Sequence, residues 1–141
     1  MVSVAPISIL IVGMIVSSSM GIYLPTPANI AKDIKWTQAI NAALCAPGAH
    51  NDAVAQQFYA CYNEAIVPGA TSFKACQTQV YGVQMDTQAN VDTVCSGGPD
   101  KFPRYAACIL ARLPFQGVCA TTAIHKLNEC QGKVMNVPAP A

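Results

Sequence analysis

From Ile30 onward apolar residues recur every three to four positions, and proline or glycine interrupts that rhythm at short intervals. The pattern predicts a series of short amphipathic helices joined by tight turns. Thr26-Pro27 opens the first, with threonine as N-cap and proline pre-set at the first helical position. Ile30, Ile34, Ile40 and Leu44 then fall roughly on one face as far as Cys45. After Ala46-Pro47-Gly48, Asn51 or Asp52 caps a second helix whose buried stripe is Val54, Phe58, Cys61, Tyr62 and Ala65. Pro68-Gly69 ends it, Thr71 or Ser72 caps a third, and Phe73, Cys76, Val80 and Val83 repeat the spacing. Thr87, Val91 and Val94 extend that stripe, but Gly82 and Asp86 predict a break.

Ser96-Gly97-Gly98-Pro99 is a stop signal, after which Asp100 caps a helix with Phe102, Ala106, Ile109 and Leu113 on one face, closed by Pro114. A last helix, Cys119 to Gln131, groups Cys119, Ala123, Leu127 and Cys130. Gly132 is expected at its C′ position and residues 134–141 as an extended tail. No stretch alternates with the period of a half-buried strand. The expected fold is all-α: a small disulfide-stabilised bundle of about five short helices following an N-terminal signal or anchor segment.

That N-terminal segment carries no charge before Lys32. Ile7 to Val16 has the length of a signal-peptide apolar region, and Ser17, Ser18, Ser19 and Gly21 are small residues of the kind found at cleavage sites, so residues 1–21 read as a signal peptide. The missing lysine or arginine before Pro6 supports an alternative, in which residues 2–24 are long enough to cross a hydrocarbon core of roughly 30 Å as a transmembrane anchor. With the leader removed, residues 22–133 form one domain, small enough to gain from cross-links.

Charge narrows the function classes. Charged residues are 11% of the chain and the net charge is +1, so no basic field exists to hold a phosphate backbone, and nucleic acid is not an expected partner. Residues 22–95 hold three bases against five acids, and residues 96–141 hold five against two, a mild asymmetry typical of a solvated surface.

All seven cysteines, Cys45, Cys61, Cys76, Cys95, Cys108, Cys119 and Cys130, lie downstream of the leader. No two are close enough to present paired ligands to one ion, and Cys119, His125 and Cys130 match neither a zinc finger nor one helical face, so no metal is expected. Without a Cys-x-x-Cys motif a redox centre is not indicated either. Structural disulfides remain, three of them with one cysteine over, and spacing does not select the connectivity. The odd thiol could stay buried or link two chains as a disulfide-bonded dimer. Cys45-Ala-Pro-Gly48, Phe58-Tyr-Ala-Cys61, Pro68 and Cys76 echo Cys95-Ser-Gly-Gly98, Tyr105-Ala-Ala-Cys108, Pro114 and Cys119, which suggests two helical-hairpin units at 45–94 and 95–132. Three cysteines per unit would force at least one bridge between the halves, leaving Cys130 as its partner or as the odd thiol.

No catalytic constellation emerges. His50 sits in a turn and His125 on the polar side of the last helix, both read as surface histidines without an orienting carboxylate, and Ser72 reads as a helix cap. No cofactor is expected. Trp36, Phe58, Tyr62, Phe73, Met85, Phe102 and Phe115 are candidates to line an apolar ligand cavity, although such residues more often fill a core. The expected function is that of a secreted, extracellular, non-enzymatic binding protein that acts on a partner protein as signal, toxin or modulator, or carries a small apolar ligand. The alternative is a single-pass, membrane-anchored accessory subunit whose cysteine-rich domain lies in an oxidising compartment.

Overall fold

A computed structural model describes residues 24–64, 69–112 and 118–141. Both readings of the leader, apart from Leu24, fall outside these residues, as do Ala65, Leu113, Pro114 and Phe115. Among the described residues there are six α-helices, one 3-10 turn and no strand: α1 (Pro27–Cys45), α2 (Asp52–Ala60), the 3-10 turn (Cys61–Asn63), α3 (Gly69–Tyr81), α4 (Gln88–Cys95), α5 (Lys101–Arg112) and α6 (Val118–Met135). The described residues are all-helical, as their periodicity predicts.

Local chemistry places most of the boundaries. Thr26 caps α1 by accepting from the Asn29 N–H at 3.2 Å, with Pro27 at the first helical position. Asn51 caps α2 through the Val54 N–H at 2.9 Å, and Thr87 caps α4 through the Asn90 N–H. Gly82, at φ +78°, turns the chain out of α3, so the third and fourth segments are separate helices rather than one kinked rod.

Three expectations need correction. α3 begins at Gly69, not after Thr71 or Ser72, and Ser72 is buried within the helix rather than capping it. α6 does not stop at Gly132 but continues to Met135, and Asn136 takes the left-handed conformation at φ 56°. The inward face of α1 is Asp33, Trp36, Ile40 and Leu44, whereas Ile30 and Ile34 are 43% and 50% exposed. The shift of face follows from one buried acid: Asp33 finds partners on α6, so the stripe that packs there is rotated away from the two isoleucines.

α1 lies along α6 and α3 along α5, while the 3-10 turn joins α2 to α3 and touches α6. One apolar cluster runs through the middle, built from Trp36, Ile40 and Leu44, then Phe58, Tyr62 and Phe73, then Met85, Val91, Ile109 and Leu127. On α5 the inward positions are Tyr105 and Ile109; Phe102 is only partly buried. Tyr62 and Tyr105 also bring hydroxyls into the interior, and burial pushes the Tyr62 hydroxyl up to about 12.

Three disulfides cross-link this core: Cys45–Cys95, Cys61–Cys130 and Cys76–Cys108, with Cα–Cα distances of 5.4, 5.6 and 5.7 Å. Each joins a cysteine of residues 45–94 to one of residues 95–132. Cys130 is therefore a partner, of Cys61, and Cys119 on α6 is the cysteine left over.

Candidate functional site

Two histidine-centred clusters stand out, each assembled from residues far apart in sequence. The first joins the C-terminal ends of α1 and α4. The turn after α1, with Gly48 at φ +74°, carries His50 back toward the helix it has just left. There the ring Nδ1 lies 2.7 Å from Leu44 O and Nε2 lies 2.6 Å from Asp92 Oδ1. A carbonyl and a carboxylate are both acceptors, so only the doubly protonated ring donates to both. The bond to Asp92 is the main reason that the imidazole is held above its ordinary pKa; desolvation opposes it, and the Leu44 carbonyl adds a lesser push upward. The His50 side chain is 9% exposed and that of Asp92 59%, so the pair spans from interior to solvent. His50 is therefore not a free surface histidine.

A surface cleft of about 370 Å³ opens over this cluster, lined by Cys45, Ala46, Pro47, Gly48, His50, Gln88, Asp92, Cys95 and Ser96. The Cys45–Cys95 disulfide and the His50–Asp92 pair thus share one opening. Cys45 is exposed and Cys95 half-buried, whereas Cys61 and Cys76 are fully buried and their partners Cys130 and Cys108 half-buried. Asp52, in the first turn of α2, accepts through Oδ1 from the Gln88 N–H at 2.8 Å and so ties the start of α4, one wall of the cleft, to α2.

The second cluster lies between α1 and α6. His125 Nδ1 is 3.0 Å from Asp33 Oδ1 and its Nε2 is 3.2 Å from Glu129 Oε1, one turn along the same helix. The Trp36 ring meets the His125 ring edge-on at 5.8 Å. Asp33 is buried, its Oδ2 has no hydrogen-bond partner, and burial raises its pKa against the opposing pull of His125. Asn128 donates to Asp33 O at 3.2 Å, and Thr37 Oγ1 lies 3.0 Å from Asn128 Oδ1, which completes the polar seam. The two carboxylates meet opposite ring nitrogens, so His125, Asp33 and Glu129 do not converge on one point. No group of three or more potential metal ligands is found among the described residues.

Beside this seam the Trp36 edge enters a shallow groove of about 310 Å³ with Glu129, Gly132, Lys133, Asn136, Val137 and Pro138. The C-terminal segment folds back across the tryptophan, and Trp36 Nε1 donates to Val137 O at 3.0 Å.

The candidate cavity residues are placed as follows. Trp36, Phe58, Tyr62, Phe73 and Met85 all belong to the central cluster, with the Tyr62 and Phe73 rings 5.8 Å apart. Phe102 stands apart from them on α5. Of the six that are described, Trp36 alone borders either of these two clefts. Sequence reasoning missed both histidine clusters: the acid that meets His50 lies 42 residues away and the buried acid that meets His125 lies 92 away, while the Glu129 contact, one turn along the same helix, was the local signal. No protein-family model matches the chain, and no curated protein or solved structure matches it.

Proposed function

We propose that this is a secreted, extracellular binding protein without enzymatic activity, directed at a partner protein rather than at an apolar ligand held inside. The fold supports the compartment: a small helical chain closed by three disulfides suits an oxidising environment. The observation that favours a protein partner is where the aromatic side chains go. Phe58, Tyr62 and Phe73 are at most 2% exposed and pack on one another, which suits a filled core rather than a ligand cavity. Apolar side chains meanwhile stand outward on α1 at Ile30 and Ile34 and on α5 at Leu110.

Titration with a lipophilic dye or a fluorescent fatty acid tests the choice. A protein-directed ligand takes up neither saturably; saturable uptake at micromolar concentration would overturn this reading in favour of an apolar-ligand carrier.

The membrane-anchored accessory subunit is the second reading, supported by the exposed Leu24, Ile30 and Ile34, which continue the apolar N-terminal stretch onto the surface of α1. No helix among the described residues is long and apolar enough to cross a membrane. The intact mass of the native protein separates the two: a mature chain starting near Met20 or Ile22 supports secretion, and a chain that keeps Met1 supports the anchor.

A further inference from the structure

We propose that Cys45–Cys95 is a thiol-exchange site, the bridge that an external thiol opens first, and that His50 is the positioning residue that makes this opening possible. Three observations carry the inference. Access comes first: attack on a disulfide needs a nucleophile in line with a sulfur. Cys45 is exposed at the mouth of the cleft, while each of the other two bridges has one fully buried sulfur.

The second observation is electrostatic. Cys45 and Cys95 are the last residues of α1 and α4, so both sulfurs sit where two helix C-termini converge and partial negative charge accumulates. A departing thiolate is disfavoured there unless a cation stands nearby. Among the residues lining the cleft His50 alone can carry positive charge. Leu44 on α1 and Asp92 on α4 face it, both as acceptors, and Asp92 is the one charged group among the lining residues besides His50 itself.

The third observation is redundancy. Leu44 adjoins Cys45 and Asp92 lies one turn before Cys95, so the His50 bonds tie together the same two helix ends as the disulfide. Opening the bridge leaves that clasp in place, and the two cysteines stay close enough to re-form it.

In the exchange, the thiolate of a small external thiol attacks Cys45 Sγ, forms a mixed disulfide, and expels Cys95 as a thiolate. The imidazolium offsets the negative charge of that leaving sulfur, which takes up a proton from the cleft or from water. A second external thiol then attacks the mixed disulfide and releases Cys45. Two external thiols end as one disulfide, and the protein cystine ends as two thiols.

The test uses the full chain with Cys119→Ser, so that no internal thiol competes. Glutathione is added in steps at fixed pH, the reaction is stopped by alkylation, and the labelled peptides are mapped. Cys45 and Cys95 are expected to label together, roughly tenfold faster than the other four cysteines, with helical circular dichroism unchanged. His50→Gln should slow that opening several-fold at pH 6, and the gap should close as the pH rises and the wild-type imidazolium is lost. If His50→Gln fails to fold, Asp92→Asn replaces it, and the pH at which the rate per glutathione thiolate falls should then move downward because the imidazolium has lost its carboxylate. Opening of Cys61–Cys130 or Cys76–Cys108 first, opening of all three together, or a rate indifferent to both substitutions would overturn the proposal.

Discussion

Gly132 is the space that the Trp36 indole occupies: a Cβ at that glycine would stand 3.1 Å from both Cζ2 and Nε1 of the ring, and 2.7 Å from Val137 O. Mid-helix glycine normally costs about 1 kcal/mol relative to alanine. At this position the sign reverses, because the nearest atom is backbone and cannot rotate aside. Gly132→Ala is expected to destabilise the protein by about 1–3 kcal/mol, as overpacking does elsewhere. Urea unfolding followed by the fluorescence of Trp36, the one tryptophan, measures it. A gain in stability would show that the tail does not pack on the tryptophan.

The buried carboxylate of Asp33 predicts an acid-side pH dependence. Burial holds its pKa above the ordinary 3.8, so between 3.8 and the folded value the native state binds the proton more tightly than the unfolded chain. Its contribution to stability is greatest below that window and is lost as the pH rises through it. Asp33→Asn should remove this component, and unfolding midpoints from pH 3 to 7 for both proteins should differ in slope accordingly.

His50 predicts the complementary trend at higher pH. Its pKa is raised above 6.5, chiefly by Asp92, so the stabilisation is complete below 6.5 and lost as the pH rises through the folded value. His50→Gln is expected to cost about 1–3 kcal/mol at pH 6, in the range of a charged hydrogen-bonded group, and less at pH 9. Equal costs at the two pH values would argue against an imidazolium between Leu44 and Asp92.

The three bridges are expected to differ in worth. Loop entropy alone assigns roughly 4 kcal/mol to each, since the sequence separations of 32, 50 and 69 residues enter only logarithmically. What separates them is the surroundings. Cys61→Ala with Cys130→Ala should lower the urea midpoint most, because it closes the longest loop and empties a core position. Cys45→Ala with Cys95→Ala should lower it least, because the His50–Asp92 clasp still holds those two helix ends.

Alkylation of the unreduced protein in denaturant reads out the odd cysteine. One thiol per chain, on the peptide that contains Cys119, is expected before reduction and seven after it. No label before reduction, with a band of twice the mass on non-reducing electrophoresis, would instead identify a dimer linked through Cys119.

The amino-acid sequence by itself determined the helices and the stapling. Thr26-Pro27, Asn51 and Gly82 act within a few residues of themselves, so these caps and breaks are readable where they stand, whereas Thr87, read as part of a continuing stripe, caps α4 instead. Only the tertiary structure decided the rest, because it depends on which helices meet. Periodicity marked Ile30 and Ile34 as inward, but α6 presents His125 to the Asp33 carboxylate and Asn128 to the Asp33 carbonyl, and the face that packs there is Asp33, Trp36, Ile40 and Leu44. Gly132 reads locally as a helix end, yet it lies inside α6 because an indole 96 residues earlier in the chain needs the room. The same holds for His50: nothing within its turn announces Asp92, and the pair exists only because the disulfide and the packing of α1 bring the end of α4 to it. Electrostatic and steric partners at such separations are set by packing, and packing is not a local property of the chain.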